Sequence, residues 1–389
     1  MNFIGRLLYI SGYALDENHG AAEHVREIAF HLANLGWKVT LVGLVNDGLS
    51  VFKNRNIPKQ LCVIPVRTPR ADPRFGILFL YRAVAQITKQ YSFDLAYVRS
   101  TRKTLLAIEC LKWRKKPYVI EVNTKTAAEY LSLGSNPITA ILADLLEKLQ
   151  FNHAAGAFCV TQELAEYVRG RIPQDSPIWI TGNGFRAEVT KLATFDPVPR
   201  RMVGITEQET VITFMGTLQP WHGIDILISS LLFMPDVRLW VIGDGPEKPK
   251  LQVLASQLGL ESRIRWWSYQ HGDKLQELLS ASDIGIGPLA LYRTNIYEAQ
   301  PLKVRHYLGV GLPTIIGYRD TLLDESSPGV FYAQTAEEIA NRIKDIQKQG
   351  NVRSTEYRQQ IRSFALRHLS WESIAKQTSD ILSEWLNLT

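Results

Sequence analysis

The chain is poor in the features that would tie it to a membrane span, a metal centre or an oxidising compartment. It holds three cysteines, Cys62, Cys110 and Cys159, in apolar surroundings and without metal-ligand spacing. A disulfide framework and a zinc site are therefore excluded, and reduced core thiols are expected. No apolar run approaches the roughly 20 residues needed to cross a bilayer. The N-terminal stretch RLLYISGYALDENHG turns polar too soon for a secretory leader and reads as a first buried strand. Neither a repeat of solenoid period nor a low-complexity tract occurs, and no G-x-G-x-x-G run follows the first strand, which places a dehydrogenase a distant third among enzyme classes. A cytoplasmic enzyme is the expectation.

What is present describes a globular protein. The 389 residues suffice for two domains, and 46% hydrophobic with 21% charged residues can fill two cores. The net charge of +6 is concentrated: residues 1–190 hold 23 Lys and Arg against 16 Asp and Glu, the remainder 21 against 22. Two clusters carry the excess, Lys53 to Arg74 and Arg99 to Lys116. They fit an anionic membrane surface or a phosphorylated acceptor, and equally a solvated basic face. No helix-turn-helix, zinc or aromatic RNA-binding signature accompanies them, so nucleic acid is not an expected partner.

The patterning alternates strands with helices, as a parallel sheet requires. Residues 6–12 read as a strand, Ala21 to Leu35 as an amphipathic helix closed by Gly36, and WKVTLVGL as the next strand. Further strands are predicted at LCVIPV, LAYVRS, PYVIEVN and GAFCVT. After a linker at 191–208, a second series follows at VITFMG, VRLWVIG, IRWW, IGIGPL and PTIIG. The chain closes on a capped amphipathic helix opening at Ser370. The predicted fold class is α/β, two Rossmann-like doubly wound domains facing a cleft. Their bounds are 1–190, a linker over 191–208, 209–369, and a helix over 370–389 that crosses back to the first domain.

Between Val211 and Pro313, four apolar runs each end in glycine, proline or polar residues: GTLQPWHG, GDGP, GPL and the loop-to-helix run YEAQPLKVRHY. Ligands of open parallel sheets bind at such strand ends. These motifs resemble the retaining GT-B glycosyltransferases of family 4, and the resemblance reaches Gly20 and the final helix. In that family the C-terminal domain grips a nucleotide-diphosphate sugar and the N-terminal domain presents the acceptor. The family hallmark, two glutamates separated by seven residues, is met at Glu298, with His306 in the second place. The resemblance assigns Glu298 to the sugar hydroxyls and His306 to the ribose. Ala299, Gln300, Pro301 and Leu302 would offer backbone groups at the start of the Lys303 helix, where N–H groups and dipole favour an anion. The family's arginine and lysine after the first glycine are replaced by Thr217 and His222, a Trp-His-Gly variant. Diphosphate neutralisation then falls to protonated His222, Lys303, backbone amides and, more weakly, Arg305. His222 fits a helix-capping role as well.

Gly216 and Thr217 belong to the same donor loop, and Tyr269 ends a strand where the family seats the base. The neighbouring Trp266 and Trp267 read as core. In the first domain, Gly20 opens the first helix beside the donor phosphates. Asn123 stands where many relatives place a histidine, and Arg99 binds acceptor or phosphate, or forms a salt bridge. No Asp-x-Asp occurs, so the expectation is metal independence with no cofactor beyond the donor. The predicted activity is transfer of a hexose from a UDP- or GDP-sugar to a hydroxyl acceptor (glycan, lipid-linked or small molecule), with retention. Alternatives are a nucleotide-sugar epimerase or phosphorylase, or a degenerate nucleotide-sugar-binding protein. The expected location is cytoplasmic, with peripheral contact at the inner face of the membrane left open.

Overall fold

The computed structural model describes residues 3–17, 19–49, 52, 55–68, 75–128 and 136–388. Lys53, Arg70 and Arg74 of the first basic cluster lie outside the described residues. Two compact units result, Met1–Gly182 with Ile374–Thr389, and Asn183–Ser373.

The first unit is a seven-stranded sheet in which every pair is parallel. Its strands are β1 (Arg6–Ala14), β2 (Lys38–Val45), β3 (Leu61–Arg67), β4 (Leu95–Arg99), β5 (Tyr118–Val122), β6 (Gly156–Cys159) and β7 (Ile178–Ile180), in the order β3-β2-β1-β4-β5-β6-β7. Successive strand residues face opposite sides. Leu8, Ile10, Val98 and Ile120 accordingly pack on one face under the helices Gly76–Gln90 and Leu105–Trp113. The other face carries an aromatic row, in which Tyr9 stacks edgewise on Tyr97 at 4.9 Å and the Phe158 ring lies tilted against Trp179 at 4.8 Å. The last helix, Trp371–Leu388, joins this face: Trp385 meets Trp179 at 6.0 Å, and Trp37 Nε1 donates to Ser379 Oγ at 2.8 Å. The return of the C-terminal helix to the first unit is thus observed.

The second unit is a six-stranded parallel sheet. Strands β8 (Thr210–Met215), β9 (Val237–Ile242), β10 (Ile264–Trp267), β11 (Ile284–Ile286), β12 (Thr314–Ile316) and β13 (Val330–Tyr332) run in the order β10-β9-β8-β11-β12-β13. The direction of winding reverses between β8 and β11. In open parallel sheets the crevice beyond the strand ends at that reversal is where a ligand sits.

The stretch 191–208, expected as a linker, belongs to the second unit, and the units part at Gly182. The stretch contains a short helix, Val198–Arg201. Its Arg200 is fully buried, donating to the Ala281 carbonyl at 2.5 Å, the Glu209 carbonyl at 2.9 Å and Asp283 Oδ2 at 2.6 Å. Low periodicity and two prolines misled the reading, because this segment is anchored by one arginine and not by an apolar stripe.

Candidate functional site

Strand β8 ends at Gly216, whose φ of 122° lies in the region that favours glycine. A Cβ there would stand 2.9 Å from Lys303 Nζ, and a Cβ on Gly243 would stand 2.1 Å from the Gly216 carbonyl oxygen. Two side-chain-free turns are therefore packed together, and the lysine fills the space left beside them. The Lys303 ammonium lies 4.0 Å from the centre of the Phe214 ring and 3.4 Å from His222 Nε2. No carboxylate pairs with it among the described residues. Burial alone drives its pKa down from 10.5 to about 7. A partly desolvated cation without a counter-charge favours an anion beside it.

His222 ends the short 3₁₀ turn Pro220–His222 and is followed by Gly223 in a left-handed conformation. Burial, and then the neighbouring Lys303 charge, lowers its pKa to about 3. The expectation of a protonated His222 is corrected: in the ligand-free protein the imidazole is neutral, with Nε2 turned to Lys303. His306, one turn after Lys303 on the helix Leu302–Gly309, is likewise held neutral, its pKa lowered to about 4 by burial.

That helix begins after Pro301, which supplies no side-chain cap, so its first N–H groups have no intrahelical partner. The loop before it is braced on both sides. Asn183 donates its backbone N–H to Gln300 Oε1 and its side-chain amide to the Gln300 carbonyl, both at 2.8 Å. Arg305, named above as a weaker phosphate candidate, is instead a strut. Fully buried, it forks onto Asp320 at 2.7 and 2.8 Å and donates to the Asn183 carbonyl at 3.1 Å. Glu298 pairs with exposed Arg319 at 3.5 Å, and the Ala299 N–H donates to the Arg319 carbonyl at 3.1 Å. Tyr297 and Arg319 line a cavity of about 630 Å³ with Tyr292, Tyr318 and Tyr332. Across β8, Thr217 Oγ1 and Tyr269 OH lie 2.9 Å apart, and the Tyr269 hydroxyl also reaches the Asp244 carbonyl at 3.4 Å. Trp267 packs edgewise on Trp240 at 5.8 Å, consistent with core.

The structure thus gathers Gly216, His222 and Lys303, links Thr217 to Tyr269, and sets Glu298 to Leu302 on the loop entering the Lys303 helix. Gly20, Asn123 and Arg99 belong to the first unit. Gly20 is the exposed first residue of the helix Gly20–Asn34, and Asn123 follows β5 with both amide atoms buried and without a partner among the described residues. Arg99 is buried and spends its Nη1 on Glu121 at 2.5 Å, so of its possible roles the salt bridge is the one observed. Glu121 has no exposed surface. It also receives His24 Nε2 at 2.7 Å and the Tyr9 hydroxyl at 2.8 Å. Burial pushes its pKa up, but His24, Arg99 and these hydrogen bonds outweigh that and hold it near 2, below the ordinary 4.5.

The depressed native value means that Glu121 stabilises the fold fully above about pH 4.5, and that this contribution fades as pH falls toward 2. Glu121→Leu, which strands three buried donors, is expected to cost about 3–5 kcal/mol in urea unfolding at pH 7. The gap to wild type should narrow at pH 3. A pH-independent gap would mean that the carboxylate charge is not what stabilises this cluster.

The model of "Glycosyl transferases group 1" matches residues 198–367, and that of "Glycosyltransferase Family 4" matches residues 18–189. An uncharacterized glycosyltransferase of Methanocaldococcus jannaschii is 24% identical over 388 residues, covering 93% of both chains. The chain belongs to the GT-B glycosyltransferases. Solved structures agree on the fold of this glycosyltransferase. Sucrose-phosphate synthase from Thermosynechococcus elongatus superposes with a TM-score of 0.75 at 16% identity, over 99% of this chain and 100% of that one. Anabaena HepE in complex with UDP-glucose gives 0.72 at 18% identity, over 98% and 100%.

Sequence reasoning missed several residues of this glycosyltransferase. His24 and Tyr9 meet Glu121 from a different helix and strand, while Asn183 braces the loop at Gln300 and Asp320 holds Arg305 on the helix that follows. One signal was available: Arg99 and Glu121 are charges inside otherwise apolar strand runs, and a charge so placed needs a buried partner.

Proposed function

We propose that this glycosyltransferase moves a hexose from a UDP- or GDP-sugar to a hydroxyl acceptor with retention of configuration. The observation that carries the reading is the half-buried Lys303 ammonium, without a counter-ion among the described residues, set against Gly216 at the winding reversal of the second sheet. A pyrophosphate supplies the missing negative charge. Lys303 and the first N–H groups of the helix Leu302–Gly309 would receive it, so that charge growing on the leaving group meets donors already in place. Neutral His222 then serves as a hydrogen-bonding partner of Lys303 and of a phosphate oxygen. Glu298 accepts from hexose hydroxyls, and Tyr269 with Thr217 lies toward the base. HepE was solved with UDP-glucose, which supports a uridine donor for this chain.

Retention fits a front-face displacement. The C1–O bond to the diphosphate breaks, the acceptor oxygen bonds C1 on the same face, and the acceptor proton passes to the departing phosphate oxygen. No covalent enzyme nucleophile takes part. Metal independence belongs to the same proposal, and transfer is expected to survive EDTA. A thermal-shift screen against UDP- and GDP-hexoses should single out the donor by stabilisation. Proton NMR of the transferred sugar then reads the anomer. An inverted product, or epimerised sugar formed without acceptor, contradicts the proposal. A shift with no transfer to any of a panel of hydroxyl acceptors supports a binding protein instead.

A further inference from the structure

The helix Pro137–Phe151 is turned inside out. Its inward positions include Glu147 and Gln150, both about 2% exposed, beside Ala140, Ala143 and Phe151. Its outward stripe is Ile138, Ile141, Leu142, Leu145 and Leu149, with Ile138 at 73% and Ile141 at 70% exposure. The spacing i, i+3, i+4, i+7, i+11 is that of a continuous apolar face, ordinarily the face a helix buries. Glu147 is satisfied inside by the Tyr167 and Thr126 hydroxyls, so this orientation is fixed by hydrogen bonds and is not a frayed end.

The neighbouring helices continue the surface. Trp113, at 81% exposure, ends the helix Leu105–Trp113, which is tied to the stripe through Lys112 Nζ, donating to Asn152 Oδ1 at 2.9 Å and to the Leu149 carbonyl. Phe75, Leu78 and Tyr81 are exposed at the start of the helix Gly76–Gln90. The segments 75–90, 101–117 and 137–151 hold nine Lys and Arg against three Asp and Glu, an excess as large as the net charge of the whole chain. Arg102, Lys103, Arg114, Lys115 and Lys116 belong to it.

We propose that this face of the first unit is a peripheral docking surface for an anionic lipid bilayer. The aliphatic stripe would enter the headgroup–acyl boundary, Trp113 would lie at the interface, and the basic residues would meet the lipid phosphates. Charge decides between occupants. A second copy of this chain would bring the same positive excess against itself, whereas an anionic membrane complements it. No helix among the described residues is long and apolar enough to cross a membrane, so the attachment is one of surface contact.

The test is cosedimentation of the full chain with phosphatidylcholine vesicles, with and without about 30 mol% phosphatidylglycerol. Vesicles with the anionic lipid should bind the protein at least tenfold more tightly than neutral ones, and binding should weaken at about 0.5 M salt. The double variant Ile141→Ser, Leu145→Ser changes only exposed side chains, and its circular dichroism should match wild type. Its vesicle binding should fall at least tenfold, and Lys103→Ser with Lys115→Ser should lower it severalfold. Absence of binding to the anionic vesicles overturns the proposal, as does binding indifferent to these variants. A wild-type dimer that the serine variant converts to monomer also overturns it, because a second copy then covers the face. None of these readouts requires transfer, so the outcome is independent of the donor proposed above.

Discussion

Lys303→Met is expected to make the free protein more stable and to disable it as a binder of nucleoside diphosphates. The wild-type ammonium is held without a counter-charge at a pKa near 7 against 10.5 when unfolded. Between pH 7 and 10.5 the unfolded chain binds more protons at this lysine than the folded one, so its contribution makes wild-type stability rise with pH across that window. Methionine keeps the length and apolar contacts with Phe214 and removes the charge. The variant should melt several degrees higher at pH 7 and lose the lysine's part of the pH slope. Loss of one charged donor to a diphosphate should weaken UDP or GDP binding roughly tenfold to a hundredfold. A variant that melts lower and still binds the nucleotide normally would assign Lys303 to the core.

Glu298→Gln should separate sugar recognition from nucleotide binding. The side chain is almost covered, and its pairing with exposed Arg319 at 3.5 Å adds little to stability. Its melting temperature should therefore stay near that of wild type. Affinity for the nucleoside diphosphate should also hold, since Glu298 is assigned to the hexose. In kcat/KM for transfer the loss should be about a hundredfold, the scale of a charged acceptor withdrawn from sugar hydroxyls. Unchanged turnover would remove Glu298 from the site, and a matching loss of nucleotide affinity would move its role to the base or phosphates.

The alternation of apolar runs made both parallel sheets legible, and the Gly, Pro and polar residues after β8, β9 and β11 pointed to the strand ends where the donor site is proposed. Two edge strands were not foreseen. Ile178–Ile180 and Val330–Tyr332 are three-residue edge strands with partly exposed side chains, so they lack the buried apolar run that marks the equally short β11 and β12. The segment 191–208 was misread because Arg200 anchors it through polar contacts. The charge states beside the end of β8 were hidden for a related reason. Protonation of His222 and the role of Arg305 depend on partners 81 and 15 residues away in sequence, Lys303 and Asp320. Local chemistry named candidate positions, but only the fold shows which of their charges are already paired within the chain. The outward stripe of the helix Pro137–Phe151 carries the same lesson: its pattern is plain in the sequence, but the side it turns to the core is not.

Calorimetric titration of UDP and GDP into wild-type protein, in buffers of different ionisation enthalpy, tests the central assignment most directly. A diphosphate seated on Lys303 raises that group's pKa, so binding near pH 8 should take up a proton. The uptake should shrink toward zero near pH 5.5 and be absent in Lys303→Met. Tight binding at pH 8 with no proton taken up, or uptake that persists in the methionine variant, would place the phosphates somewhere other than the end of β8.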